Sequence, residues 1–378
     1  MIFLDNASTT KVNKNAILEF ETQLQNFYNP SASYSNALSN KNLIESCKES
    51  ICDLLHIKFN ENLLFTGSAT EADNLAVFGS AKKKDLQYVF TEGEHLCVYN
   101  CALELKNRGY DVVFVPLNKD GKVDVKALVK VLEKPTAFMS AIHVSNETGA
   151  INDIEFLSNL LKSKWPNAIF HSDGVQAFGN IDVNLGNLKN VDLYTISSHK
   201  IGGLKGIGAL FVRNKSKLKP IIFGGGQEYG LRPGTENLPA ICSFKVACLE
   251  KFSSRDSDFK YVSELNKIVR NKFLCVSGIK INSPEDASPY ILSASLVGIR
   301  GETIVRMCDD DGLLIGTGSA CSSKKTSLNR ILQSMGRTKE ENEGAIRISF
   351  SSSNTKSEIE QASDIIVNNY LKLRNQIK

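Results

Sequence analysis

The chain has 378 residues, 42% hydrophobic and 23% charged, with a net charge of +4. This usage excludes a disordered, collagen-like or fibrous chain, and the length suits one large domain with a smaller companion. The charge excess is small and no dense basic block marks a nucleic-acid face, so no direct nucleic-acid partner is expected.

The amino terminus, Met1-Ile2-Phe3-Leu4-Asp5-Asn6, carries an early carboxylate and no basic stretch before an apolar one. A secretory signal is not expected. No apolar run approaches the ~18 residues of a membrane span, which predicts a soluble, cytoplasmic protein with reduced thiols and no membrane partner. The nine cysteines contain no CxxC pair, and suggest neither a disulfide framework nor a zinc site.

From residue 60 short apolar runs alternate with helical patterns. Leu63 to Thr66 precedes a helix over Glu71 to Lys82, and further strands are predicted at Tyr88 to Thr91, Val112 to Pro116, Ala137 to Val144, Ala168 to Ser172, Leu193 to Ser197 and Gly208 to Val212. Most lack alternation, as strands buried on both faces do. The expectation is an α/β fold: a three-layer α/β/α large domain with a mainly parallel sheet over residues 14–250, with ligands at the carboxyl ends of its strands. Beyond residue 250 a helix over Asp256 to Leu274, strands near Ile279, Ile291 to Leu296 and Ala345 to Phe350, and a last helix from Lys356 predict a smaller α+β domain over 251–378, joined by residues 1–13. Gly316 to Ser327 is read as a loop within it.

Several polar clusters follow these strands. In Ser197-Ser198-His199-Lys200-Ile201-Gly202-Gly203 a lysine stands just past a buried strand, where a desolvated amine serves as a nucleophile or a basic side chain fills a solvated turn. Asp173, at the end of another apolar strand, is either a helix cap or the partner of a pyridinium nitrogen, since a lysine with such an aspartate is how proteins hold pyridoxal phosphate. Thr66-Gly67-Ser68-Ala69-Thr70-Glu71 offers a strand, a small-residue turn and a helix start, which fits an anion cradle or a capping box. His95 could stack on a planar cofactor, and Asn146 and Arg347 could hold a carboxylate. Cys321, in Gly318-Ser319-Ala320-Cys321 with Lys324 and Lys325 behind it, has the setting of a reactive thiol.

Taken together, Phe3 to Thr10, Asn29-Pro30-Ser31, Phe65 to Leu75, Glu94-His95, Asn146 to Gly149, Asp173 to Gln176, Ser197 to Gly208, Gly224 to Glu228, Arg232 to Thr235, Gly318 to Cys321 and Arg347 resemble the cysteine desulfurases of the class V aminotransferase family, fold type I pyridoxal-phosphate enzymes. The resemblance implies pyridoxal 5'-phosphate bound covalently to Lys200, with Asp173 on the ring nitrogen, Gln176 on the ring hydroxyl and His95 stacked on the ring and moving protons. It implies Ala69, Thr70, Ser197 and His199 around the phosphate and Thr235 contributed across a homodimer. Asn146 and Arg347 would grip the carboxylate of L-cysteine, and Cys321 would take its sulfur as a persulfide, leaving L-alanine. A protein sulfur acceptor follows, an iron-sulfur scaffold or a tRNA-thiolation enzyme. Other readings are a selenocysteine lyase or another enzyme of the same family, or a non-catalytic sulfur carrier. Gly67-Ser68 and Ser351-Ser352 stand where the family more often has Ser-Gly and Gly-Arg.

Overall fold

The computed structural model describes residues 1–58, 60–317 and 328–377. The chain begins with a short strand, β1 (Ile2–Phe3), and the helices Lys14–Gln23 and Ser35–Leu54. The large sheet is built from β2 (Leu63–Thr66), β3 (Gln87–Thr91), β4 (Asp111–Val115), β5 (Thr136–Ser140), β6 (Ile169–Asp173), β7 (Leu193–Ser197) and β8 (Gly208–Val212), in the spatial order β2-β8-β7-β6-β5-β3-β4. The pairs from β4 across to β7 are parallel, and β8 runs antiparallel to both β7 and β2. Successive strand residues enter opposite apolar layers: Leu63 and Phe65 pack with Ile51 and Leu157, whereas Leu64 packs with Leu75 and Ala102. Helices therefore cover both faces, which is why the strands read as continuous apolar runs.

The remaining strands are β9 (Ile279–Ile281), β10 (Ile291–Leu296), β11 (Leu313–Leu314), β12 (Gly316–Thr317) and β13 (Ala345–Ser349). Four of them form an antiparallel sheet in the order β12-β13-β10-β9, and β11 pairs in parallel with β1. A second core gathers Ile2, Leu4 and Ala7 with Leu292, Ile346 and Ile359, so the first residues of the chain pack with the last third of it.

Three elements differ from the sequence expectation. The strand predicted to run to Val144 ends at Ser140, because the chain then turns back on itself, with Val144 bridged to Ile151. The helix predicted from Asp256 already starts at Leu238 and runs to Leu274. Pro239 lies in its first turn, where the missing N–H costs no hydrogen bond. Its early residues Ile241, Phe244 and Cys248 enter the first core and its later residues Val262, Leu265 and Val269 the second, so no single apolar stripe marks its whole length. The segment read as a loop from Gly316 opens with β12, in register with Arg347 and Ile346; residues 318–327 lie outside the described ones.

One buried ion pair fixes the rim of the large sheet. Lys48, from helix Ser35–Leu54, meets Glu228 at 2.8 Å, with side-chain exposures of 4% and 3%. Glu228 and Tyr229 hold φ angles of 45° and 59°, left-handed conformations that persist only when the surroundings enforce them. Replacing Lys48 by Met strands a buried carboxylate and is expected to cost about 3–5 kcal/mol. Denaturant unfolding should show that loss, and should show most of it recovered when Glu228→Leu is added.

Candidate active site

The carboxyl ends of β2, β3, β5, β6 and β7 face one edge of the large sheet, and the polar clusters follow them. The register Thr66↔Gly208↔Ser197 sets the end of β2 close to the end of β7. Gly208 permits this: a Cβ there would come within 2.8 Å of the Ala69 nitrogen. The helix Ala69–Ser80 thus starts against Ser197. Ser68 Oγ accepts the Glu71 N–H at 3.1 Å, and Glu71 Oε2 accepts the Gly67 N–H at 2.7 Å. The N–H groups of Ala69 and Thr70 have no acceptor within their own helix, which leaves an anion-binding end. The cap is formed, and it uses the Gly67 and Glu71 N–H groups, so the N–H groups a cradle would use are not taken by it. Arg232 sits 2.7 Å from Glu71 and is compensated there.

Asp173 ends β6, buried, with Oδ1 accepting the Val175 N–H at 2.9 Å. Burial, followed by the nearby Asp73 and Glu94, pushes its carboxyl well above the usual range. A carboxyl so placed is stabilised as a charged group by a cation brought beside it. Gln176 and Lys200 converge on one acceptor: Gln176 Nε2 and Lys200 Nζ donate to the Ala7 carbonyl at 2.9 and 2.6 Å, and Lys200 Nζ also donates to the Ser8 carbonyl at 2.7 Å. A cavity of 620 Å³ opens beside them, with Asn6, Tyr290 and Ser351 in its wall.

His95 caps the helix Leu96–Asn107, and a ring nitrogen of His95, the Cys97 sulfur and an Asp173 oxygen all lie within 4.8 Å of one another. Burial lowers the His95 pKa; Asp73 opposes this, while Lys200, Arg347 and Arg330 reinforce it. His199 is lowered to about 4 by burial with help from Lys200 and Lys205, and its Nδ1 lies 3.2 Å from Thr9 Oγ1.

Arg347 Nη1 donates to the Asn146 carbonyl at 3.0 Å and lies 3.3 Å from Glu147, while Nη2 lies 3.0 Å from Asp5. Burial raises the Glu147 pKa against the pull of Arg347. Asn146 Oδ1 is buried without a hydrogen-bond partner among the described residues, while its Nδ2 donates to Glu147 at 2.9 Å, the donor that a substrate carboxylate would take over.

The structure thus gathers Lys200 with Gln176, His95 with Asp173, Ala69 and Thr70 with Ser197, and Asn146 with Arg347. Thr235 stands apart, exposed, in a smaller cleft with Thr66, Gly67 and Gly206. Cys321 lies outside the described residues. The described chain on either side of it reaches the site, however. Gly316 is paired with Arg347, and on the far side Arg330 Nη2 donates to the Glu94 carbonyl at 2.5 Å and Asn329 Nδ2 to Glu147 at 3.2 Å. Sequence reasoning assigned no role to Asp5, Asp73, Cys97, Glu147 or His171. Asp73 carried a usable signal, an acid within the apolar stretch Ala72 to Val77.

The class V aminotransferase family model matches residues 2–362, and the chain belongs to that family. Over 376 residues it is 35% identical to a NifS/IcsS protein homolog of Lactobacillus delbrueckii subsp. bulgaricus, covering 97% of this chain and 95% of that one. It is 32% identical over 375 residues to a cysteine desulfurase IscS of Clostridium botulinum, covering 97% and 93%. Among solved structures, a NifS-like protein superposes with a TM-score of 0.91 at 28% identity, covering 98% of this chain and 99% of that one. SspA in complex with cysteine does so with a TM-score of 0.81, again at 28% identity, covering 94% and 100%.

His143, bonded to the Tyr194 hydroxyl at 2.8 Å, is lowered by burial to about 4, like His199. A histidine with a depressed folded pKa supports the fold above its unfolded value of about 6.5, and loses that contribution as pH falls toward the folded value. Imidazole NMR should therefore show both rings neutral from about pH 8 down to about pH 5.5. A titration of either near pH ~6.5 would contradict this.

Proposed function

We propose that the chain is a pyridoxal-phosphate-dependent cysteine desulfurase that converts L-cysteine to L-alanine and holds the sulfur as a persulfide on Cys321 for a protein acceptor. The observation that supports it best is the convergence of Lys200 and Gln176 on Ala7, beside the buried Asp173, whose carboxyl is raised by burial. These groups fit pyridoxal phosphate: an amine for covalent attachment, an acid for the ring nitrogen and a helix end for the phosphate.

What the cofactor supplies when bound is an electron sink for charge at the substrate α-carbon. Lys200 would hold it covalently, and the same amine would serve as base for the substrate α-proton. Asp173 would pair with the ring nitrogen, Gln176 would hold the ring hydroxyl, and His95 would stack on the ring and assist proton transfer. Ala69, Thr70, Ser197 and His199 hold the phosphate, His199 as a neutral ring. Asn146 and Arg347 bind the substrate carboxylate, which takes over from Asp5 or Glu147 on the guanidinium. The raised pKa of Glu147 suits this exchange, because protonation lets it release Arg347. The Cys321 thiolate attacks the substrate sulfur; an S–S bond forms as the C–S bond breaks, and its electron pair returns to carbon. Three residues separate Thr317 from Cys321, and four backbone steps span at most about 14 Å from a point beside Arg347.

The dimer belongs to the same reading. Phe27 and Phe223 are 80% and 84% exposed, with Tyr34 and Ile222 also uncovered, and Gln227 Nε2 to Ser31 Oγ at 3.4 Å brings the two segments together. A second copy seated on this surface would cover the aromatic rings and bring the exposed Thr235 of one protomer to the site of its partner. The two cores support two domains, 14–250 and 251–378, with residues 1–13 joining the second. Among the described residues no helix is long and apolar enough to cross a membrane, and the cytoplasm, with an iron-sulfur scaffold or thiolation enzyme as acceptor, is the proposed setting.

Incubation with L-cysteine should release alanine and leave a persulfide on Cys321 by peptide mass. Cys321→Ser should abolish sulfur transfer, Lys200→Ala should lose the absorbance of covalently bound cofactor, and Arg347→Ala should raise KM roughly 10–100-fold through a lost charge-assisted contact. Full sulfur transfer by Cys321→Ser, or turnover of selenocysteine with none of cysteine, would overturn the reading.

A further inference from the structure

The turn that carries His95 is gripped by a side chain from the other end of the sequence. Arg330 opens the short helix Arg330–Ser334, where Asn329 Oδ1 accepts the Ile331 and Leu332 N–H groups at 2.9 and 3.2 Å. Ile331, Leu332 and Met335 pack with Leu117 and Ala345, which gives the helix a fixed base. From that base the Arg330 guanidinium reaches the segment between β3 and the helix Leu96–Asn107. Nη1 donates to the Glu92 carbonyl and lies 3.3 Å from the Glu92 carboxylate, and Nη2 donates to the Glu94 carbonyl at 2.5 Å. The flat group lies over the Tyr99 ring, 3.7 Å from its centroid.

These contacts bracket His95 along the chain. Glu94 directly precedes it, and Tyr99, one helical turn on, donates its N–H to the His95 carbonyl at 2.9 Å. The sheet holds the other side of the turn: the Glu92 N–H meets the Val115 carbonyl at 2.9 Å, and the Glu94 carboxylate accepts from Thr91 and Ile142. The imidazole follows the backbone closely, because Nδ1 accepts the Cys97 N–H at 3.3 Å as the helix cap. A turn that shifts therefore carries the ring with it, away from its place within 4.8 Å of Asp173. Arginine suits the grip. Its fork serves two carbonyls and its plane covers a ring, whereas an ammonium offers only a point charge.

We propose that Arg330 is a positioning residue for His95: by holding the Glu92 and Glu94 carbonyls against the Tyr99 ring, it fixes the turn that sets the imidazole beside Asp173. Arg330 acts through that turn, and no bond is made or broken at it. Its value to the reaction rests on the reading of His95 as the residue that stacks on the cofactor ring and assists proton transfer.

The test uses the full-length holoenzyme labelled with [15N]cysteine or [15N]histidine, which give nine amide and five imidazole sets of signals. Arg330→Ala should shift the Cys97 amide and the His95 ring and leave the amides of Cys47, Cys242 and Cys248, in the first core, in place. With L-cysteine, kcat should fall roughly 10–100-fold, as for a displaced reacting group, while KM changes less than about twofold. Millimolar guanidinium ion should refill the space and return both the signals and most of kcat. Ethylammonium should return neither, and Arg330→Lys should stay close to the alanine variant. Unmoved signals, a KM that rises as far as kcat falls, or equal rescue by ethylammonium overturns the proposal. If the alanine variant fails to fold, the signals and kcat of Arg330→Lys decide in the same way. Signals that move and return while kcat keeps its native value would sustain the positioning and refute the part given to His95, so the two readings fail separately.

Discussion

The carbonyl oxygen of Ala7 accepts from Lys200 and Gln176 together, and most of the site is arranged around that strip of backbone. The strip cannot drift. The Ala7 N–H is taken by Ser349 Oγ at 2.8 Å, Asp5 pairs with Arg347, and β1 is locked in parallel to β11. Residues far apart in the chain, at 5–8, 176, 200 and 347, are thereby held at fixed separations. An amine held by two carbonyl oxygens is aimed, at the wall of the cavity, where a lysine that carries a group covalently needs to stand.

A second constraint is electrostatic. Asp73, Glu94 and Asp173 are all buried, and the hydrogen bonds they receive come from neutral donors, with Asp73 Oδ1 left without one among the described residues. Glu94 takes the Thr91 hydroxyl at 2.7 Å, the Ile142 N–H at 3.1 Å and the Ser140 hydroxyl at 3.2 Å, yet burial still raises its pKa. Glu94 and Asp173, both with carboxyl groups raised by burial, favour an incoming cation. That preference belongs to the sheet itself, since the residues sit at the ends of β3 and β6.

Much of this was legible in the sequence because it was local. Leu193–Ser197 and Gly208–Val212 were placed from apolar runs, and Lys200, Asp173 and Asn146 were marked by their position just past such runs. What was not legible depended on long-range register. Nothing near Asp5 announces Arg347, and nothing near Cys97 announces Asp73, because each pairing is made by strands and helices far apart in sequence. The helix Leu238–Leu274 was half read because its apolar face changes partner along the way. Thr235, matched by motif, is exposed in its own chain, and its role belongs to the proposed dimer.

That helix carries a mechanical consequence. At 37 residues it is a rod of roughly 55 Å, continuous through both cores. A hinge needs a few residues free to change their backbone angles, and this crossing offers none without breaking helical hydrogen bonds. The rod therefore acts as an axle: strain arising where its own Lys251 lies over the Tyr290 ring is transmitted along its length rather than absorbed where the two cores meet.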